Sequence, residues 1–336
     1  MNRNGVIARQ AQQLYDAVRP LLRKGQSYSL VDFPSYANVG DSAIWLGAVK
    51  LLKNISGRDP LYVCSKTSYD KSALAATGST GPIFILGGGN FGDLYQPHQD
   101  LRFALMRDFP DRKIVQLPQS IHFDSPDALA ATAKAIEAHG NFHLFVRDQS
   151  SADIAKQAFS CPVELAPDCA FCIGPVKQSA NKTGGHVFLR RIDKEIAGTE
   201  YSPLEVLEMT QFDWATEPPI PGSVTKTARL LTIAGGMFSR ASATRARLNA
   251  QAQWRMNRGI DMLSQGEAVV TDRLHGMIIS VLLGQPVVAF DNSYKKVSGY
   301  QKLWMADFEG AAVVETADEA LKKLRSVQVA YLDGVA

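Results

Sequence analysis

Short apolar runs alternate with longer segments of helical periodicity along most of the chain. In the first half, the apolar runs predict strands at 29–33, 82–86, 113–117, 142–146 and 163–165. The periodic segments between them predict helices at 43–53, 100–109, 126–139 and 150–158. Alternation of this kind is typical of an α/β protein with parallel sheets.

A polar, glycine-containing segment at 174–185 interrupts the alternation, and a second series follows it. The second series predicts strands at 186–190, 229–234, 267–271 and 286–290, and helices at about 240–259, 274–283 and 294–304. We therefore predict two Rossmann-like domains, residues 1–175 and 184–336, that face each other across a central cleft in a GT-B-like arrangement. Ligands of parallel sheets bind beyond the carboxyl ends of the strands, so functional residues are expected in the loops there.

The composition is that of a globular protein, because 46% of the 336 residues are hydrophobic and 21% are charged. A net charge of +3 lacks the concentrated positive charge of a nucleic-acid binder, so no nucleic-acid partner is expected. The N-terminal segment is polar and amphipathic, unlike a secretory signal. The longest apolar run, 277–283, is much shorter than the roughly 20 residues of a membrane span. We expect a cytoplasmic protein.

The four cysteines are too few for a disulfide framework. Cys169 and Cys172 have the CxxC spacing, but neither a second CxxC pair nor a nearby pair of histidines completes a zinc site. The apolar residues between these two cysteines favour packing in a core. The sequence therefore predicts neither a metal nor an organic cofactor.

The loop after the first predicted strand carries Asn38 and Asp41 just before a helix. Asp41 or Ser42 can cap that helix, so one interpretation is a plain turn with an N-cap. The other interpretation is that Asn38 and Asp41 point into the cleft and bind sugar hydroxyls with their amide and carboxylate groups. Both interpretations stay open at this point.

Three consecutive glycines, Gly87, Gly88 and Gly89, followed by Asn90, come directly after the predicted strand 82–86. Glycines leave backbone N–H groups accessible, so a polar or anionic group can approach closely. The loop matches neither GxGxxG nor a Walker motif with its lysine, which disfavours NAD and ATP as ligands. A bend required for tight packing is the alternative.

Pro118 is predicted to end the strand 113–117 and to leave Gln119, Ser120 and His122 near the same sheet edge. His122 lies between two apolar residues, which favours a buried, hydrogen-bonded histidine over a ligand-binding one.

Arg147 closes the predicted strand 142–146. Its planar guanidinium group suits bidentate recognition of a phosphate or a carboxylate. An ion pair with Asp148 or Asp168 is an equally good interpretation of the same residue.

In the second series, His275 follows a predicted strand and lies near the N-terminus of a helix, where anions are favoured. Lys295 follows the next strand. Together with Arg147 from the first domain, these residues predict a cationic pocket suited to a small phosphorylated acid. Arg273 is interpreted as a structural partner of Asp272.

Six motifs between about residues 30 and 305 make the chain resemble the polysaccharide pyruvyl transferase family: Asn-Val-Gly-Asp (38–41), Gly-Gly-Gly-Asn (87–90), Leu-Pro-Gln-Ser (117–120), Arg-Asp (147–148), Asp-Arg-Leu-His (272–275) and Tyr-Lys-Lys (294–296). The resemblance implies transfer of pyruvate from phosphoenolpyruvate (PEP) to a sugar, as a ketal, with release of phosphate, in the biosynthesis of an exopolysaccharide or cell-wall glycan. It implies PEP-binding and catalytic roles for Arg147, His275 and Lys295. Substrate-binding roles are implied for Asn38, Asp41, Gly88, Gly89, Asn90 and Gln119.

Two other functions fit the same architecture, namely a glycosyltransferase that uses a nucleotide-sugar and a non-catalytic glycan-assembly protein. The acceptor is either a polysaccharide or its lipid-linked oligosaccharide precursor. Between Glu217 and Asp261 the charged residues are all basic. This stretch is interpreted as a solvated face, with peripheral contact to an anionic membrane surface as the alternative.

Overall fold

The structure, a computed structural model, describes residues 1–180, 182–192, 209–224, 226, 230, 240–291 and 296–332. The strands are β1 (Ser29–Val31), β2 (Tyr62–Cys64), β3 (Ile83–Ile85), β4 (Gly88–Gly92), β5 (Ile114–His122), β6 (Phe142–Val146), β7 (Val163–Leu165), β8 (His186–Leu189), β9 (Thr210–Phe212), β10 (Ala268–Thr271), β11 (Val287–Phe290) and β12 (Ala311–Val314). The predicted strand 229–234 lies outside the described residues, apart from position 230.

The helices are α1 (Arg3–Val18), α2 (Val39–Ser56), α3 (Lys71–Ala75), α4 (Gln96–Asp108), α5 (Pro126–His139), α6 (Gln149–Ala158), α7 (Arg240–Leu263), α8 (Leu274–Leu283), α9 (Lys296–Trp304) and α10 (Ala317–Leu332). No helix in this described part of the chain is long and apolar enough to cross a membrane.

The strands form two parallel sheets. In the described residues, sheet A has seven strands in the order β2-β1-β3-β5-β6-β7, with β4 paired to the far end of β5. Sheet B has five strands in the order β12-β11-β10-β8-β9. These sheets confirm the α/β prediction with parallel pairing. The division into two domains near 174–185 stays a prediction.

Strand β5 extends beyond the point at which it was predicted to end. It continues through Pro118 to His122, so the prediction that Pro118 ends the strand was wrong. The pairing with β6 shifts register between Gln116 and Gln119, and this irregularity accommodates the missing N–H of proline. Beyond the shift, β5 pairs with β4, so Gly88–Gly92 is a short strand.

Helix α2 begins four residues earlier than predicted. Its N-cap is Asn38, whose side chain accepts hydrogen bonds from the backbone N–H groups of Gly40 and Asp41. The prediction of a cap at Asp41 or Ser42 was therefore wrong. Both residues lie inside the first turn, where the carboxylate of Asp41 also interacts favourably with the helix dipole.

Helix α2 is buried along most of its length. A methyl group on Gly47 would lie 1.8 Å from the carbonyl oxygen of Cys169, so only glycine allows this approach to the 3-10 turn Cys169–Ile173. Cys169 and Cys172 are buried free thiols, which confirms core packing, and burial raises the pKa of Cys172 to about 12. The turn starts directly after Asp168, so this packing restrains the backbone at that residue.

Helix α1 packs on the cores of both sheets. Val6 belongs to the apolar cluster that includes the strands of sheet B, whereas Leu14 belongs to a cluster beneath sheet A. Arg9 in the same helix forms an ion pair with Asp307 at 2.7 Å. The N-terminal helix therefore connects elements that lie almost the whole chain apart.

Several of the basic residues between 217 and 261 serve the fold. Arg255 pairs with Glu217 at 2.9 Å, and Arg258 lies 3.7 Å from the same carboxylate. Arg245 donates to the carbonyl oxygen of Pro60. These three arginines are half-buried or buried and do not belong to a solvated face, so that interpretation was wrong for them.

Candidate active site

A cavity of about 460 Å³ lies beyond the carboxyl ends of strands from both sheets. Sheet A contributes residues that follow β1, β2, β3 and β6, and sheet B contributes residues that follow β8, β9, β10 and β11. This is the location expected for a ligand of parallel sheets. Its walls include Tyr36, Asn38, Asp41, Lys66, Gly89, Asn90, His98, Arg147, Arg191, Arg273, His275 and Lys296.

Asn38 and Asp41 line the cavity, as one of the two interpretations of their loop predicted. The Oδ2 atom of Asp41 accepts hydrogen bonds from the hydroxyl of Tyr36 at 2.7 Å and from Nδ2 of Asn38 at 2.9 Å. Asn38 therefore caps the helix with its oxygen and orients Asp41 with its nitrogen. The loop is thus a helix cap, made by Asn38, and also part of the cavity wall, and the binding of sugar hydroxyls by Asn38 and Asp41 stays a prediction.

Gly89 and Asn90 also line the cavity. A methyl group on Gly89 would lie 3.5 Å from Nη2 of Arg147 and 3.7 Å from Nζ of Lys296. The backbone of Gly89, which carries no side chain, thus lies close to both Arg147 from sheet A and Lys296 from the side of sheet B. Gly88 has φ 135°, a conformation that side chains rarely allow, so glycine is needed at this position as well.

Gln119 is completely buried and supports Asn90 from behind. Its Nε2 donates to Oδ1 of Asn90 at 2.7 Å, and Nη2 of the buried Arg102 donates to the same atom at 2.6 Å. The two donors fix the orientation of the Asn90 amide. His122, which follows on the same strand, pairs with Asp124 at 2.9 Å and lies away from the cavity wall.

Arg147 is 3% exposed and lies in the cavity wall. Its Nη1 contacts Oδ2 of Asp168 at 2.6 Å, and its Nε donates to Oγ of Ser120 at 3.0 Å. The predicted ion pair with Asp168 is therefore present in an arginine that also faces the cavity. The backbone oxygen of Arg147 accepts a hydrogen bond from Nε1 of Trp304 in α9, which ties it to the side of sheet B.

His275 is the second residue of α8 and lines the opposite side of the cavity. Its Nε2 lies 3.3 Å from Oδ2 of Asp168, although the two groups are not aligned as a hydrogen bond. A methyl group on Gly40 would lie 2.6 Å from Cγ of His275 and 2.8 Å from Nδ1. The N-termini of α2 and α8 therefore meet at this imidazole.

Asp168 is fully buried, and its carboxylate lies between the side chains of Arg147 and His275. Burial alone would raise its pKa, but His275, Arg147 and the backbone N–H of Ala170 act in the opposite direction and prevail. They hold the pKa of Asp168 well below its usual range. The carboxylate is therefore ionised at every pH at which the protein is expected to function.

Lys295 lies outside the described residues, so the structure says nothing of its predicted role. The adjacent Lys296, the first residue of α9, lines the cavity. Arg273 also lines it, and its Nη2 contacts Oδ2 of Asp213 at 2.6 Å. The sequence interpretation of Arg273 as a partner of Asp272 missed this cavity-lining position, although its place directly after a strand was a signal for it.

Sequence reasoning also missed three residues near β1, β2 and β4. The carboxylate of Asp32 contacts Nδ1 of His98 at 2.8 Å, and Nζ of Lys66 lies 3.0 Å from Nε2 of the same ring. His98 and Lys66 line the cavity. Only the position of Asp32 at the end of the first strand could have drawn attention to it.

Known proteins are similar to this chain over most of its length. The family model of polysaccharide pyruvyl transferase matches residues 38–294. Pyruvyl transferase 1 of Schizosaccharomyces pombe is 29% identical over 319 residues, which cover 88% of this chain and 75% of that protein. EpsO of Bacillus subtilis, named as a pyruvyl transferase, is 30% identical over 296 residues, which cover 86% and 88% of the two chains.

A solved structure supports the fold. An uncharacterized protein from Klebsiella pneumoniae has a TM-score of 0.55 to this chain at 16% identity, with 91% of this chain and 99% of that one covered. The region matched by the family model contains Asn38, Asp41, Arg147 and His275, which the structure brings to one cavity. The chain belongs to the polysaccharide pyruvyl transferase family and is a pyruvyl transferase.

Proposed function

We propose that the cavity binds PEP together with a saccharide and transfers the pyruvyl group to the saccharide as a ketal, with release of phosphate. The observation that carries this proposal is that Arg147, from sheet A, and His275, from the side of sheet B, share one buried carboxylate at the cavity wall. Arg147 can bind a phosphate or a carboxylate, and His275 can transfer a proton at the same place.

The donor side of the cavity is cationic. Arg147, Arg273 and Lys296 line it, and the N-terminus of α8 lies beside them. PEP carries a phosphate and a carboxylate, and charge-assisted hydrogen bonds from arginine and lysine are the strong contacts for both groups. The proposal assigns these three side chains to donor binding, with Lys296 in the role that the sequence assigned to Lys295.

The chemistry requires an acid at the methylene carbon of PEP. A protonated His275 gives a proton to C3 while a sugar hydroxyl forms a bond to C2, because imidazole changes charge near neutral pH. The C2–O bond to phosphate then breaks, and a second hydroxyl closes the ketal at C2. The proton lost by the first hydroxyl leaves with the released phosphate, and the proton lost by the second hydroxyl restores His275.

The acceptor lies against the sheet A wall in this proposal. Asp41, held by Tyr36 and Asn38, offers a carboxylate to sugar hydroxyls, and Asn90 offers its amide. A lipid-linked oligosaccharide or a free exopolysaccharide chain fits this assignment. We further propose that the two sheets belong to GT-B-like domains whose approach completes the cavity, since donor contacts come from both.

The test combines binding and turnover. PEP should raise the melting temperature of the protein, whereas UDP-glucose, a donor of the competing glycosyltransferase function, should leave it unchanged. His275→Ala should abolish phosphate release from PEP in the presence of acceptor while keeping the PEP-induced shift. His122→Ala, which removes a histidine outside the cavity, should keep the normal rate. Stabilisation by the nucleotide-sugar and not by PEP would overturn the proposal.

A further inference from the structure

We propose that Asp32 and His98 form a second acid–base pair in the cavity, which accepts the proton of the first attacking sugar hydroxyl. The inference rests on the proposed function and adds a catalytic residue to it. It gives the cavity two histidines, each with its own buried aspartate. His275 has Asp168 on the donor side, and His98 has Asp32 on the acceptor side.

The hydrogen bonds of His98 define which nitrogen is the base. Both carboxylate oxygens of Asp32 lie 2.8 Å from Nδ1, and Nζ of Lys66 lies 3.0 Å from Nε2. An ammonium group only donates, so Nε2 is the acceptor, and the ring hydrogen is on Nδ1 and points to Asp32. The lone pair of Nε2 therefore faces Lys66, which lines the cavity together with His98.

Asn90 is the other neighbour of Nδ1, and its amide nitrogen is a donor that competes with a hydrogen on that atom. Its Oδ1 accepts from Arg102 and Gln119, so its Nδ2 must face the pair, at 3.5 Å from Asp32 and 3.0 Å from Nδ1 of His98. If Nδ1 were instead the acceptor of this amide, its lone pair would face two carboxylate oxygens and Nε2–H would face an ammonium. The hydrogen on Nδ1 avoids both of these conflicts, and the amide hydrogens of Asn90 are then directed to Oδ2 of Asp32 at 3.5 Å instead of to the ring.

The backbone conformation of Asp32 independently supports a functional role for this residue. Asp32 has φ 71°, and it is the one non-glycine residue with a positive φ in the described part of the chain. Such conformations are retained where surrounding contacts require them, and they concentrate at functional sites. The carboxylate of Asp32 is fully buried, and its nearest titratable partner is His98. The strained position of Asp32 thus serves to orient one imidazole.

The reaction needs such a base. Ketal formation breaks two O–H bonds, and only one proton is retained in the product, in the methyl group made from C3 of PEP. In the first step His275 gives its proton to C3, so a different group, Nε2 of His98, takes the proton of the attacking hydroxyl. In the second step the other hydroxyl returns a proton to His275. The proton on His98 leaves with the released phosphate, and the balance closes.

Lys66 marks the place of the acceptor hydroxyl. Its ammonium donates to Nε2 of His98 and lies 4.6 Å from the ring centre of Tyr36. An incoming hydroxyl donates to the same lone pair once the flexible lysine side chain moves aside. The titratable and charged groups that face His98 from the elements around it are Asp32, Lys66, Tyr36, Tyr95 and, through Asn90, Arg102.

The kinetic test uses His98→Gln and Asp32→Asn, with methyl glycosides of glucose, galactose and mannose as acceptor probes. We expect a fall of about 10²- to 10⁴-fold in kcat, with the KM for PEP nearly unchanged. The acid limb of the pH profile of kcat/KM for the acceptor should disappear in His98→Gln. His122→Gln and Asp124→Asn, which disrupt a histidine–aspartate pair of similar length outside the cavity, should leave both quantities unchanged.

A spectroscopic test does not depend on finding an acceptor. Long-range ¹H–¹⁵N spectra of the histidine side chains, assigned with the His98→Gln variant, should show a single tautomer with the hydrogen on Nδ1. Asp32→Asn should remove that preference. Hydrogen on Nε2 in the wild-type protein would overturn the inference.

Failure of this inference is distinguishable from failure of the proposed function. If PEP neither binds nor releases phosphate with the wild-type protein, the proposed function is wrong. If PEP binds and turns over but His98→Gln keeps the wild-type rate and pH profile, only the second acid–base pair is wrong.

Discussion

Arg147 and His275 reach the same atom, Oδ2 of Asp168, at 2.6 and 3.3 Å. The arginine follows a strand of sheet A, and the histidine belongs to a helix that follows a strand of sheet B. Neither side chain can move away without leaving a buried carboxylate partly uncompensated. Asp168 therefore sets the distance between the two functional groups that carry the proposed chemistry.

Asp168→Asn should strongly reduce turnover and stability together. The amide cannot compensate Arg147 and His275, and breaking a buried ion pair typically costs about 3–5 kcal/mol of unfolding free energy. Urea unfolding and phosphate release measure the two effects. Asp124→Asn is the matched control, because its carboxylate is exposed and should contribute little. Wild-type kcat in Asp168→Asn would show that the shared carboxylate is dispensable.

The stability of the protein should depend on the ionisation of Asp168 at acid pH. The native pKa is depressed, so the stabilisation is fully present above the unfolded value of about 3.9 and is lost as pH falls through the native pKa. Between pH 5 and pH 2, unfolding free energy should therefore fall more steeply for the wild-type protein than for Asp168→Asn. Parallel pH curves would contradict the ion-pair assignment.

Gly40→Ala should displace His275. The new methyl group would lie 2.6 Å from Cγ of the imidazole, closer than carbon atoms approach, so the ring or the start of α2 must move. A shift of about 1 Å at a catalytic group can cost about 100-fold in rate. Gly299→Ala is the control, since nothing lies within 4 Å of its new methyl group in the described residues. Equal kcat in the two variants would argue against a catalytic His275.

Lys296→Gln should weaken PEP binding. Loss of one charge-assisted contact, about 1.5–3 kcal/mol, corresponds to an increase of about 10- to 100-fold in the KM for PEP, with a smaller effect on kcat. Lys302→Gln removes an exposed lysine from the same helix and should leave the KM unchanged. A KM effect confined to the saccharide would move Lys296 to the acceptor side.

Tyr300→Phe should destabilise the protein by about 1–3 kcal/mol. The buried hydroxyl accepts from the backbone N–H of Asp168 at 2.9 Å and donates to Gln10 at 2.7 Å, so its loss leaves two buried polar groups unpaired. Tyr331→Phe is the control, because that hydroxyl is buried without a hydrogen-bond partner in the described part of the chain. Urea unfolding should separate the two variants, and equal stabilities would refute the hydrogen-bond chain.

The sequence predicted regular elements best where local signals mark both ends. Helix Pro126–His139 was predicted to the residue, since Ser125 caps it, Pro126 opens it and Gly140 ends it in a left-handed conformation. The strand Tyr62–Cys64 was missed because three residues are too few to show a strand's alternation of apolar and polar positions.

Cavity-lining positions were predictable where motif and strand end coincide, as at Arg147 and His275. The pair of Asp32 and His98 was not predictable, because 66 positions separate the two residues and no local motif marks either. Arg147 pairs with Asp168 and not with Asp148, and this choice likewise depends on the tertiary structure. It depends on the packing of the turn after Asp168 against α2, which no spacing in the chain reveals.

The helix at the start of the chain has a consequence for the order in which the protein is made. Arg9 and Gln10 are synthesised nearly 300 positions before their partners Asp307 and Tyr300. The hydroxyl of Tyr300 in turn holds the backbone at Asp168. A nascent chain with all of sheet A already translated therefore still lacks the contacts that hold Asp168, which form only after Tyr300 has been synthesised.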